Sequence, residues 1–107
     1  HDEMQENLAV YRENRRFMLQ GLPEAGLTQI APPDGAFYIY ADISEFGVDS
    51  RIFAAEVLEQ AGVALTPGLD FDPIRGGHTI RLSYAQATGE IIEGLRRLKR
   101  FMQDRYV

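Results

Sequence analysis

Met4, Leu8, Tyr11, Met18 and Leu22 recur at steps of three, four or seven residues through Asp2 to Leu22, a stretch free of proline. That is the helical period, and the residues between them are strong helix formers, so the chain opens on a long amphipathic helix. Val10 and Phe17 lie on another side of it, which suits a helix placed between two bodies. Gly21, Pro23 and Gly26 then end the pattern, because proline removes a donor and glycine frees the backbone.

A short strand is predicted around Leu27 to Ile30, after which the period changes to two. The run from Ala36 to Ile43 is rich in aromatic and branched residues and reads as a central strand. Alternation places Phe37, Ile39, Ala41 and Ile43 on its core face and Tyr38, Tyr40 and Asp42 on the other. Asp49 or Ser50 offers an oxygen to cap a second helix, whose stripe is Phe53, Val57, Leu58 and Ala61 and whose stop is Gly62. Val63 to Thr66 forms a brief strand, and PGLDFDPIRGG holds too many prolines and glycines for regular structure. Loops of that length inside a compact domain tend to be functional or mobile. His78 to Tyr84 is the last strand, and Thr88 opens a final helix with the stripe Ile91, Leu95, Leu98 and Met102. The sum is an α+β fold: three helices packed with a small, mostly antiparallel sheet of three to four strands, residues 1–107 forming a single domain.

Composition narrows the chemistry. At 107 residues, 45% apolar and 25% charged, the chain is long enough for a core of its own and close to the globular average. Its longest apolar run, Ala36 to Ala41, falls far short of the roughly 20 residues that span a bilayer, so a soluble, cytoplasmic protein is expected, with no membrane partner. The absence of cysteine excludes disulfides, thiolate metal sites and a cysteine nucleophile, and His1 and His78 suggest no ligand spacing. A net charge of -5 argues against nucleic acid. The arginines near the end, Arg96, Arg97, Arg100 and Arg105, alternate with Glu93 and Asp104 and read as a solvated helix face.

No complete catalytic constellation is present. Ser44, Ser50 and Ser83 lie in no nucleophile elbow, Asp70 and Asp72 are turn residues among prolines and glycines, and His78 is an edge or cap histidine. The residue out of place is Arg81. In HTIRLSYA, Ile80, Leu82 and Tyr84 share the face suited to a core, so Thr79, Arg81 and Ser83 share the opposite one. A guanidinium on a rigid strand can grip a planar anion by two parallel hydrogen bonds if that face is covered. The bland alternative is an arginine on the solvent side of a half-exposed sheet.

The strings PDGAFYIYADIS, GVALTPGLDFDP and HTIRLSYA stand in the order and spacing of the C-terminal small domain of class I/II aminotransferases, the fold type I pyridoxal-phosphate enzymes, and the chain resembles that domain over essentially its whole length. YRENRRFMLQGL looks like the long helix entering the domain, and EIIEGLRRLKRFM like its terminal helix. The resemblance implies an amino group moved between an amino acid and a 2-oxo acid, with Arg81 holding the substrate α-carboxylate. It also implies that Pro67 and Gly68 shape a loop at the active-site mouth, and that Gly35 and Phe37 lie near the cleft. The family needs pyridoxal 5'-phosphate on a lysine, with an aspartate at the pyridinium nitrogen. The single lysine here, Lys99, sits among arginines on the final helix. The chain is therefore expected to be the C-terminal piece of a longer, homodimeric enzyme, cut before His1, inactive alone and partnered by the large domain of its own chain. Two other readings fit the residues: a free-standing module binding a small carboxylate or a protein, and the small domain of a fold relative such as a C–S lyase or a decarboxylase.

If the Arg81 face and the Val10–Phe17 side normally meet a second body, the 107-residue chain exposes apolar surface and self-associates at high concentration. Sedimentation checks this, and a strict monomer at millimolar protein would contradict it.

Overall fold

The structure, a computed structural model, describes residues 2–31, 37–74 and 76–106, and of residues 2–7 the backbone alone. Gly35, the start of the predicted central strand at Ala36 and the side chain of Met4 lie outside what is described. The elements in order are α1 (Asp2–Glu24), β1 (Gln29–Ala31), β2 (Tyr38–Asp42), α2 (Ser50–Ala61), β3 (Thr66–Pro67), β4 (Thr79–Ser83) and α3 (Thr88–Tyr106). Short 3-10 turns occupy Ser44–Phe46, Gly68–Asp70 and Gly76–His78. The strands form one antiparallel sheet in the order β1-β2-β4-β3, giving the α+β architecture expected.

Helix α1 runs past two of the three predicted breakers, Gly21 and Pro23. A Cβ on Gly21 would stand 2.8 Å from a Leu95 methyl, so this glycine lets α1 and α3 approach closely. The helix ends at Gly26, where φ is +103°: the Gly26 amide donates to the Pro23 carbonyl at 3.0 Å and the Leu27 amide to that of Leu22 at 2.9 Å. This is a Schellman ending, and its hydrophobic partners, Leu22 and Leu27, are both wholly buried. Leu8 is exposed, against the predicted stripe, as is Val10; Tyr11, one turn on from Leu8, is the first α1 side chain seen packing on the core.

Asp49 caps α2 by accepting from the Arg51 amide at 2.8 Å, and Gly62 closes it in the left-handed region. Phe53, Ala54, Val57 and Ala61 are buried, whereas Leu58 is 57% exposed. Leu58 stands about 100° round the helix from Val57, just beyond the covered arc. On α3, Phe101 joins Ile91, Leu98 and Met102 in the core.

The sheet follows the alternation. Ile39, Ala41, Ile80 and Leu82 are buried in one cluster with residues of all three helices, while Tyr38, Tyr40, Asp42, Thr79, Arg81 and Ser83 are half-buried on the other face. Strand β2 begins just after Phe37: its φ of +63° is left-handed, an unfavourable conformation for a bulky side chain. Its ring is held edge-on by Tyr11 at 5.1 Å and Tyr84 at 5.8 Å, and its carbonyl accepts from the Tyr84 amide. Asn14, wholly buried, binds α1 to the chain leaving β4: its amide donates to the Tyr84 and Gln86 carbonyls, and its oxygen accepts from the Thr88 hydroxyl.

The loop after β3 is tightly built. A Cβ on Gly76 would lie 2.1 Å from the Gly68 carbonyl carbon, and one on Gly68 2.5 Å from the Gly76 oxygen, so the two backbones touch. The buried Ser50 hydroxyl, just inside α2, donates to that same Gly76 oxygen at 2.7 Å. Gly76→Ala should cost about 3 kcal/mol, since only backbone can yield, against about 1 kcal/mol for Gly47→Ala, where φ is +66° but the space is open. Urea unfolding of the two variants measures the difference, and equal losses would refute the close contact.

Candidate carboxylate-binding face

Strand β4 lies between β2 and β3, so Arg81 projects from the middle of the outward face, opposite Tyr40 on one side and Thr66 on the other. Its guanidinium carbon stands 4.1 Å from the centre of the Tyr38 ring and 4.9 Å from that of Phe71. Phe71 in turn meets Tyr40 edge-on at 5.6 Å. The cation is thus set against two aromatic rings, Tyr38 and Phe71, the second braced by Tyr40.

No carboxylate of a described residue forms a salt bridge with Arg81, and its Nε is buried without a hydrogen-bond acceptor. The other arginines near the chain's end behave differently. Arg96 and Arg97 both bind Glu93, and Arg105 binds Glu56. A cation without a counter-ion among the described residues, on a half-buried strand face, is a ready receptor for an anion.

Asp42 lies on the same face but is occupied locally. It accepts from the Ser44 hydroxyl at 2.5 Å and the Ser44 amide at 2.7 Å, and these bonds, the hydroxyl's first, hold its pKa below the ordinary aspartate value. Ser83, flanking Arg81, is likewise engaged, accepting from the Ala85 amide.

Pro67 pairs with Ile80 and Gly68 packs on Thr79, so both stand beside Arg81 as structural members of the loop. Phe37 does not join them, its ring being packed against Tyr11 and Tyr84. Gly35 falls outside the described residues. Two neighbours escaped the sequence reading: Tyr38, whose place on the outward face was legible but whose stacking was not, and Phe71, which lies in the irregular loop and carries no periodic signal.

A concavity of about 450 Å³ runs between α3 and residues 62–64, floored by Met18, Leu82 and Leu98 and rimmed by Glu90, Glu93 and Arg97. Arg81 does not line it. Hydrogen bonds from Arg96 and then Arg97 hold the Glu93 pKa down to about 2, so this carboxylate stays ionised and is unsuited to trade protons near neutrality. Among the described residues no group of three or more His, Cys, Asp or Glu could hold a metal, and no helix is long and apolar enough to cross a membrane.

A four-stranded antiparallel sheet with three helices packed on one face matches the fold of solved aminotransferase structures. The family model for aminotransferase class I and II matches residues 1–98, and the chain belongs to that family. It is 50% identical over 92 residues to a valine–pyruvate aminotransferase of Mycobacterium tuberculosis, covering 86% of this chain and 24% of that protein. A solved structure from Silicibacter pomeroyi, assigned as an aminotransferase, superposes with a TM-score of 0.94 at 65% identity, over 97% of this chain and 28% of that one. An aminotransferase structure from Mycobacterium tuberculosis gives 0.91 at 46% identity, over 96% and 27%. The chain thus spans only a fraction of the length of these relatives.

A carboxylate whose pKa is lowered by folding stabilises the fold above its unfolded pKa and loses that contribution as pH falls through the folded value. Stability should therefore decline from about pH 4 downward, and Asp42→Asn should flatten that part of the curve. Melting temperatures measured between pH 2 and 5 decide it, identical slopes counting against the assignment.

Proposed function

We propose that this chain is the small, C-terminal domain of a pyridoxal-phosphate-dependent aminotransferase, in which Arg81 holds the α-carboxylate of the amino-acid or 2-oxo-acid substrate. The observation that carries this reading is the position of Arg81: on the uncovered face of the sheet, backed by aromatic rings and without an ion-pair partner among the described residues. Membership of the family and the short share of its relatives' length support a longer enzyme whose remaining part covers that face. We place that enzyme in the cytoplasm as a homodimer.

The residues present do not fit the cofactor itself. Lys99, the single lysine, stands exposed on α3 among arginines, where no enclosure would shield a bond to the cofactor from water, so it is not suited to hold it. The cofactor belongs to the rest of the enzyme. This chain contributes binding and orientation. A guanidinium fork donating to both carboxylate oxygens fixes two points of a small substrate, and so fixes where its α-carbon and amino or keto group stand. Once the face is covered, the loss of water strengthens the charge-assisted bonds. A lysine at the same place offers one point of charge and no fork.

In the full-length enzyme, Arg81→Ala should lower kcat/KM for both substrates by about a hundredfold or more, on the order of 3 kcal/mol for a charge-assisted pair, chiefly through KM. Arg81→Lys should recover part of the loss. L-valine and pyruvate are the first pair to assay, since a relative is named for them. Steady-state kinetics unchanged in Arg81→Ala would overturn the reading.

A further inference from the structure

We infer that Tyr38 and Phe71 are positioning residues for Arg81, and that together they oblige it to take a carboxylate end-on, through its two terminal Nη groups. The inference rests on the reading of Arg81 as the carboxylate ligand and goes beyond it in naming which edge of the guanidinium is used and what holds it.

An arginine on a strand is fixed at Cβ but free about its remaining side-chain torsions. A carboxylate can dock on either of two edges of its planar head: Nε with one Nη, or both Nη groups. Here the far end is not free. The Tyr38 ring, two residues from Arg81's cross-strand partner Tyr40, lies 4.1 Å from the guanidinium carbon, and the Phe71 ring 4.9 Å. Ring faces attract the cation without competing for its N–H donors, so they orient it while leaving hydrogen bonds available. Nε is the exception. It is buried with no acceptor among the described residues, which closes the edge that contains it. A buried, unpaired N–H is unfavourable, and its persistence here is explained by the stacking that shields it.

The two rings are held by different means. Tyr38 belongs to β2 and is fixed by five-residue pairing with β4. Phe71 follows the turn Gly68–Asp70; its amide donates to the Gly68 carbonyl at 3.1 Å, and its ring is braced on Tyr40. The touching backbones of Gly68 and Gly76 set that turn. Packing therefore links the loop to the aim of Arg81, although neither ring needs to touch the substrate.

The test compares the accepted 2-oxo acid with its methyl ester in the full-length enzyme, pyruvate and methyl pyruvate first. Phe71→Leu and Tyr38→Leu should each raise KM for the acid about fivefold to tenfold with kcat little changed, while the ester's kcat/KM stays within about twofold; Phe71→Tyr and Tyr38→Phe should restore the acid. In nitrogen-15 spectra, the Arg81 Nε–H should be shifted upfield by the rings, exchange slowly with water, and stay in place when the acid binds. Equal losses for acid and ester in the leucine variants would mean a merely structural role and would overturn the proposal. So would a large downfield shift of Nε–H on binding, which signals the other edge. If Arg81→Ala abolishes the preference for acid while the leucine variants leave it intact, the positioning role fails and the Arg81 reading survives. If Arg81→Ala also leaves the preference intact, both fail.

Discussion

Everything at this face depends on the register between β2 and β4. Five consecutive pairs, Tyr38 with Ser83 through Asp42 with Thr79, hold the two central strands together. Because side chains alternate, that register puts Ile39, Ala41, Ile80 and Leu82 under the helices and sends Tyr38, Tyr40 and Arg81 the other way. A slip of one residue would turn a guanidinium into a core with no counter-ion for it, at a desolvation cost far above what one strand pairing supplies. The buried face therefore specifies the exposed one. The arginine's direction follows from the packing of its aliphatic neighbours.

Around that pair the rest of the fold acts as a set of clamps. Asn14 satisfies two carbonyls at the end of β4 and the hydroxyl of Thr88, tying α1 to the start of α3 through groups separated by about seventy positions in the chain. Gly21 lets α1 and α3 come together, and the Leu22–Leu27 contact turns the chain toward β1. On the far side, Ser50 and the Gly68–Gly76 contact bind the loop after β3 to α2. The loop is rich in proline and glycine because its backbone must pass close to another backbone, and it carries Phe71 to Arg81 in doing so.

In the proposed function this surface is half of a site. It offers a cation of fixed aim, while the described residues of the face include no acid, base or nucleophile suited to amino-group chemistry. That division is physically sensible. An arginine becomes selective for a carboxylate only when water is removed around it, and the sheet face supplies one wall of such an enclosure. In the function proposed above a second body would supply the other, and the exposed Leu8 and Val10 of α1 are a further surface of the kind that a covering domain buries.

Periodicity by itself determined the three helices and the faces of the two central strands, because a half-buried sheet and an amphipathic helix must alternate apolar and polar positions with the period of their backbone. The short edge strand expected at Val63 to Thr66 instead forms at Thr66–Pro67, where pairing with β4 decides it. Periodicity therefore placed Arg81 away from the core. It erred where a position is decided by contact rather than period: Leu58 lies just outside the covered arc of α2, Leu8 precedes the first turn of α1 seen packed on the core, and Gly21 serves an approach between helices that no local pattern encodes. Only the tertiary structure brought Tyr38 and Phe71 to the guanidinium, shut its Nε away and set Gly68 against Gly76. These contacts join residues from β2, β4 and a loop, and the distances between such segments are fixed by the packing of the whole domain, which local sequence does not carry.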